Sequence, residues 1–151
     1  MLKLTAEQKQ QIDRHAEATY PEECCGILFG YLEQETTVVE IWETENVWNS
    51  EENPLEATNT GSKRDRFTIA PKTLLEAQKY AREENLTIVG IYHSHPNHVA
   101  IPSEFDRAIA WETYSYLIMS VTEKTVVDRR SWKLNDQQQF EEEIIVTEGW
   151  Q

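Results

Sequence analysis

Cysteine is almost absent from this chain: two occur in 151 residues, Cys24 and Cys25, and they are adjacent. Successive Cα atoms lie about 3.8 Å apart, short of the usual disulfide span, and neighbours on a strand face opposite ways. No disulfide framework is therefore expected, and reduced thiols point to a cytoplasmic setting. Long hydrophobic runs are also missing, so no segment is suited to spanning a membrane. The opening residues Met1-Leu2-Lys3-Leu4-Thr5-Ala6-Glu7 hold no apolar h-region, and no secretory signal is expected. Positive charge is scarce: 14 Lys and Arg stand against 27 Asp and Glu, a net charge of −13. Nucleic-acid binding draws on clustered Lys and Arg and is not expected here. The acids are spread along the chain, a pattern that serves solubility or steers a basic protein surface toward it. There is no internal repeat and no low-complexity stretch.

What is present suits one folded domain over residues 1–151. Hydrophobic residues make up 39%, and five tryptophans add large side chains to bury or to line a cleft. Thr5-Ala6-Glu7-Gln8 reads as a capping box that opens a helix to about residue 18. Beyond Pro21, strands are expected near residues 24–31 and 36–44, with a turn at Glu33-Gln34-Glu35. Residues 46–66 hold few apolar side chains and read as a long loop of the functional or mobile kind. Pro71 opens a helix to about residue 84, with Asn85 at its C-terminal cap. Leu86-Thr87-Ile88-Val89-Gly90-Ile91-Tyr92 is apolar and β-branched, the mark of a buried strand. Three more strands are expected over 114–121, 125–134 and 140–146. This order predicts an α/β domain built on one mixed β-sheet flanked by helices.

The chemistry sits at the end of the buried strand. His93-Ser94-His95-Pro96 is followed, after six residues, by Ser103-Glu104-Phe105-Asp106. On a strand, residues i and i+2 share a face. At about 3.3 Å per residue the two imidazoles stand roughly 7 Å apart at the backbone, close enough to converge on one ion. Asp106, eleven positions after His95, supplies a third ligand. Two nitrogens and one carboxylate suit zinc better than magnesium or calcium, and three protein ligands leave a catalytic zinc its fourth position. Ser103-x-x-Asp106 also reads as a capping box, with Pro102 holding the preceding chain extended. A helix that starts there lies where an acid can be aimed back at the strand end.

These residues resemble the signature of the JAMM (MPN+) zinc metallopeptidases in every fixed position and in spacing. A second block agrees, about seventy residues upstream. Pro21-Glu22-Glu23-Cys24-Cys25-Gly26, followed by Ile27-Leu28-Phe29-Gly30, is similar to the family's Pro-x-Glu-x-Cys-Gly context and selects Glu23 rather than Glu22. The resemblance runs from the N-terminal helix to at least Ser120 and looks like the small bacterial and archaeal type. It implies the MPN/JAB1 fold, a three-layer sandwich similar to cytidine deaminases. It implies one catalytic zinc held by His93, His95 and Asp106, with Glu23 as general base and Ser103 donating to the attacking water or the oxyanion. The implied substrate is a ubiquitin-like sulfur-carrier protein or its conjugate, hydrolysed at the peptide or isopeptide bond after its C-terminal Gly-Gly. Its extended tail is expected along an exposed strand edge beside the ligand strand. Residues 46–66 would be the lid over it, with Lys63, Arg64 and Arg66 meeting acidic groups of the carrier.

Other candidates take lesser parts. Ser94 points away from the histidines' face and reads as structural, His98 as exposed, and His15 has no evident role. Cys25 shares Glu23's face, but an acidic neighbourhood raises a thiol's pKa, so a cysteine nucleophile is not expected. Of the tryptophans, Trp42, Trp111, Trp132 and Trp150 read as core, and Trp48 in the long loop as the exposed one. Two rivals stand beside the peptidase reading. A non-catalytic MPN scaffold that binds protein partners typically lacks the ligands that are all present here. A zinc deaminase needs a Pro-Cys-x-x-Cys arrangement that this chain does not contain.

Overall fold

The computed structural model describes residues 1–49 and 61–148. In chain order the elements are β1 (Leu2–Thr5), α1 (Ala6–Thr19), β2 (Cys25–Leu32), β3 (Thr36–Thr44), α2 (Pro71–Glu83), β4 (Thr87–Pro96), α3 (Glu104–Ile109), β5 (Ser115–Thr122), β6 (Thr125–Leu134), β7 (Phe140–Glu143) and β8 (Ile145–Glu148). The strands form one eight-stranded mixed sheet in the order β7-β6-β5-β4-β2-β3-β1-β8. None of the described helices is long and apolar enough to cross a membrane.

The helices start where the sequence says they should. Thr5 Oγ1 accepts from Gln8 N–H at 3.1 Å and Gln8 Oε1 accepts from Thr5 N–H at 2.9 Å, a complete capping box. Ile12 and Ala16, one turn apart, place α1 on a core with Leu28, Val89, Tyr92, Leu117 and Met119. Pro71 occupies the first turn of α2, and Asn85 closes it at φ 57°. Ala77 and Ala81 of α2, with Phe105 of α3, pack on the other face against Ile27, Phe29, Ile91 and Tyr116. The result is three layers, as the resemblance implies.

Strand β4 is the centre of the sheet. It pairs antiparallel with β2, His93 opposite Cys25, and parallel with β5, His95 opposite Ser120. The strands beside it are themselves paired on their far sides, β2 with β3 and β5 with β6, so among the described residues no exposed strand edge lies next to the ligand strand, unlike the expectation. Close approach of β2 and β4 requires Gly26: a Cβ there would stand 2.1 Å from the Tyr92 ring. Tyr92 has no room to swing aside, because its hydroxyl is hydrogen-bonded to His15 Nδ1 at 2.6 Å. His15 thus anchors α1 to the ligand strand.

One strand carried no expectation, and one expected strand changes. β1 pairs parallel with both β3 and β8. The expected strand over 140–146 divides at Ile144. β7 pairs with β6 at one end of the sheet, and β8 pairs with β1 at the other. Eight twisted strands curl the sheet until its two ends meet, and one continuous segment closes both. Leu2 N–H donates to Ile144 O at 2.8 Å, at the start of the β1–β8 pairing where the chain leaves β7.

Candidate metal centre

The ladder places the site. Ser94, facing away from the histidines, is buried and locks the entry to β2: Cys24 N–H donates to Ser94 Oγ at 2.8 Å, and Ser94 N–H to Cys24 O at 3.2 Å. That pairing sets Glu23 beside His93, with Glu23 Oε1 3.4 Å from His93 Nδ1. The i, i+2 alternation turns His93 and His95 to the α2 side, their ring centroids 5.1 Å apart. α3 then brings Asp106 over both rings. Its Oδ1 is 3.5 Å from His93 Nε2 and its Oδ2 is 3.1 Å from His95 Nε2. All four side chains are buried.

The capping box and the site prove to be the same residues. Asp106 N–H donates to Ser103 Oγ at 3.1 Å, and Ser103 N–H donates to Asp106 Oδ2 at 2.8 Å. The cap thus fixes the rotamer with which Asp106 faces the histidines. Ser103 itself is exposed at the helix start.

Electrostatics separate the two acids. Burial pushes Glu23 above the usual carboxylate range, opposed only in part by the neighbouring His93. Burial also works against the charged form of Asp106, but His93, His95 and the Ser103 N–H prevail and hold it well below that range. Burial lowers His95, yet its bond to Asp106 and the charges of Asp106 and Glu23 raise it on balance. Burial pushes the Cys25 thiol up to about 11, which agrees with excluding it as a nucleophile.

Glu23, His93 and His95 each offer a ligand atom, and the three atoms lie within 4.8 Å of one another. Glu23 Oε1 and both ring nitrogens of His93 are buried with no hydrogen-bond partner. Such orphaned polar atoms are costly in a core. A cation bound at one of the two His93 nitrogens would satisfy that atom, and imidazole with carboxylate is a donor set that suits zinc. This group could hold a metal ion.

Several residues that build the site carried no recognisable signal. Asn46 is buried and uses its whole amide. Nδ2 donates to Glu23 O at 3.1 Å and Arg66 O at 3.0 Å, while Oδ1 accepts from Trp48 N–H at 3.1 Å and Thr68 N–H at 3.2 Å. It fastens the two described ends of the long loop onto Glu23. Phe67, on one of those ends, stacks on His93 at 4.4 Å between centroids. Trp48, expected to be exposed, is buried at 4% because this network folds its segment inward. Trp111, expected in the core, is 69% exposed. His98 is exposed as expected. The lid expected over residues 46–66 falls largely at 50–60 and so outside the described residues, as does Trp150.

A cleft of about 450 Å³ opens beside the centre. Phe67, Ile91, Phe105, Trp111 and Tyr116 are among the apolar side chains that line it. Phe67 is common to the cleft and to the His93 stack. Arg66 lies over the Phe105 ring at 5.1 Å.

The eight-stranded mixed sheet with helices on both faces is an α/β domain of the JAB class. Residues 5–135 match the family of prokaryotic homologs of the JAB domain, and the chain belongs to that family. It is 32% identical over 126 residues to the desampylase of Pyrococcus furiosus, covering 83% of this chain and 76% of that protein. It is also 32% identical over 94 residues to the tail tip assembly protein K of Escherichia phage N15, covering 62% of this chain but 30% of that protein. Among solved structures, a protein of Desulfitobacterium hafniense superposes with a TM-score of 0.78 at 26% identity, over 98% of this chain and 93% of that one. A JAB1/MPN domain protein of Archaeoglobus fulgidus shares the fold at 15% identity and a TM-score of 0.58, over 96% of this chain and 97% of that one.

Proposed function

We infer that this protein is a zinc-dependent peptidase that hydrolyses the peptide or isopeptide bond after the C-terminal Gly-Gly of a ubiquitin-like sulfur-carrier protein. The observation that carries the reading is the buried cluster of Glu23, His93, His95 and Asp106 with its unpartnered Glu23 and His93 atoms. The similarity to a desampylase, an enzyme that acts on a ubiquitin-like modifier, supports the substrate class. His93, His95 and Asp106 would hold the ion. Zinc, when bound there, supplies Lewis acidity that polarises a carbonyl and makes water more acidic.

The rest falls to the protein's own groups. Glu23, buried and with a raised proton affinity, takes the proton of the attacking water and delivers it to the leaving amine. Ser103 Oγ accepts from Asp106 N–H, which leaves its own proton free to donate to the developing oxyanion. The substrate tail lies in the aromatic cleft that ends at Phe67, since β4 is paired on both sides as far as His93.

The test is a ubiquitin-like sulfur carrier fused to a short peptide through Gly-Gly, compared with Gly-Ala and Ala-Gly fusions. Cleavage of the Gly-Gly fusion alone is the expected result, and equal cleavage of all three would remove the requirement for glycines. Trp111→Ala, at the exposed wall of the cleft, should raise KM by about tenfold with kcat little changed, the loss of one aromatic anchor. A variant with wild-type KM would move the tail elsewhere.

A further inference from the structure

The loop after β4 passes through Asn97, His98, Val99 and Ala100, and three of its successive carbonyls are each claimed by a different side chain. His98 O accepts from Ser120 Oγ at 2.6 Å. Val99 O is the partner of His95 Nδ1 at 2.8 Å. Ala100 O accepts from Trp132 Nε1 at 3.0 Å. Asn97, at φ 61°, starts the turn and is itself tied by Asn97 N–H to Val121 O at 2.7 Å. The Val99 side chain is 66% exposed, so its own packing does not set where its carbonyl stands. The position comes from the bonds on either side of it.

We propose that Ser120 and Trp132 are positioning residues for the metal centre, acting through the Val99 carbonyl to hold His95 in the tautomer that presents Nε2 to the ion. A carbonyl oxygen only accepts, so its contact requires a proton on His95 Nδ1. That leaves Nε2, which faces Asp106 Oδ2 at 3.1 Å, as the nitrogen whose lone pair an ion would take in place of a proton shared with the carboxylate. The register explains why these two residues serve. Ser120 stands opposite His95 in the parallel β4–β5 ladder, and Trp132 lies one strand further on, opposite Tyr116. Each reaches the carbonyl next to Val99, one before it and one after. Loss of a ligand's direct partner, here Val99 O, typically changes metal affinity by about 10- to 100-fold, and Ser120 and Trp132 act one bond further out.

This inference rests on the zinc reading, because without an ion both ring nitrogens face acceptors. Nitrogen-15 NMR of the histidine rings in zinc-loaded protein should show His95 protonated at Nδ1 and without a proton at Nε2. In Trp132→Phe and Ser120→Ala combined, the Nδ1 proton should exchange faster with water as its carbonyl partner shifts. Zinc affinity by chelator competition should fall by up to about tenfold in each single variant, with Ser120→Thr, which keeps a hydroxyl, close to wild type. A His95 that binds zinc through Nδ1 would overturn the proposal without any variant. So would folded variants with unchanged proton exchange and affinity, or a Ser120→Thr loss equal to that of Ser120→Ala. A wild type that binds no zinc overturns the proposal together with the metal reading. If the wild type binds zinc through Nε2 but cleaves no Gly-Gly fusion, the peptidase reading falls and the positioning role stands.

Discussion

Replacing Asp106 by alanine is expected to strip the protein of a tightly held zinc ion. Asp106 meets both histidines, through Oδ1 toward His93 and Oδ2 toward His95. Removing it leaves the Glu23, His93 and His95 group, whose ligand atoms lie within 4.8 Å of one another, but takes away the one carboxylate at His93 Nε2, since Glu23 faces Nδ1. The substitution also deletes half of the capping box, the bond from Ser103 N–H to Asp106 Oδ2, a loss of about 0.5–1.5 kcal/mol for one hydrogen bond. Asp106→Asn separates the two effects, since the amide can still accept from Ser103 N–H but carries no charge. Elemental analysis of the purified variants should find both poor in zinc, with thermal stability lowered more in the alanine form. Zinc retained at the wild-type level in Asp106→Ala would reduce Asp106 to a helix cap.

Glu23→Gln should leave zinc and fold in place while turnover falls by about a hundred- to ten-thousand-fold, the range for a lost general base. The amide matches the carboxyl in shape and keeps the backbone bonds to Lys63 and Asn46. It cannot take a proton from water. Because burial already works against a charged Glu23, the neutral amide carries little penalty at this position. Single-turnover cleavage of the Gly-Gly fusion, alongside metal content, gives the measurement. Near-wild-type turnover would place the base elsewhere, and the exposed Glu22 would be substituted next.

Local patterns carried most of the architecture. The Thr5 and Ser103 capping boxes, Pro71 at a first helical turn and the apolar run into His93 each act within a few residues, so their outcome is written in the chain itself. β1 and β8 failed that test because each is only four residues long and owes its existence to partners far along the chain. The exchange of Trp48 and Trp111 between inside and outside has the same origin. Asn46 draws one tryptophan inward through a bond network that spans residues 23 to 68, and no short window contains it.

For the site, the sequence by itself determined the chemical groups: two imidazoles on one strand face, an acid at the next helix start, and a glutamate in a distinctive upstream setting. Strand alternation and helix capping are local rules, and they sufficed to put His93, His95 and Asp106 within reach of one another. Only the tertiary structure decided that Glu23 stands against His93 Nδ1, that Phe67 covers the ring, and that Val99 O receives His95 Nδ1. It also closed both edges of β4 and opened the aromatic cleft in their place. These features depend on sheet order and on loops returning from distant positions. Their energies come from contacts between residues that the chain brings together only once it is folded.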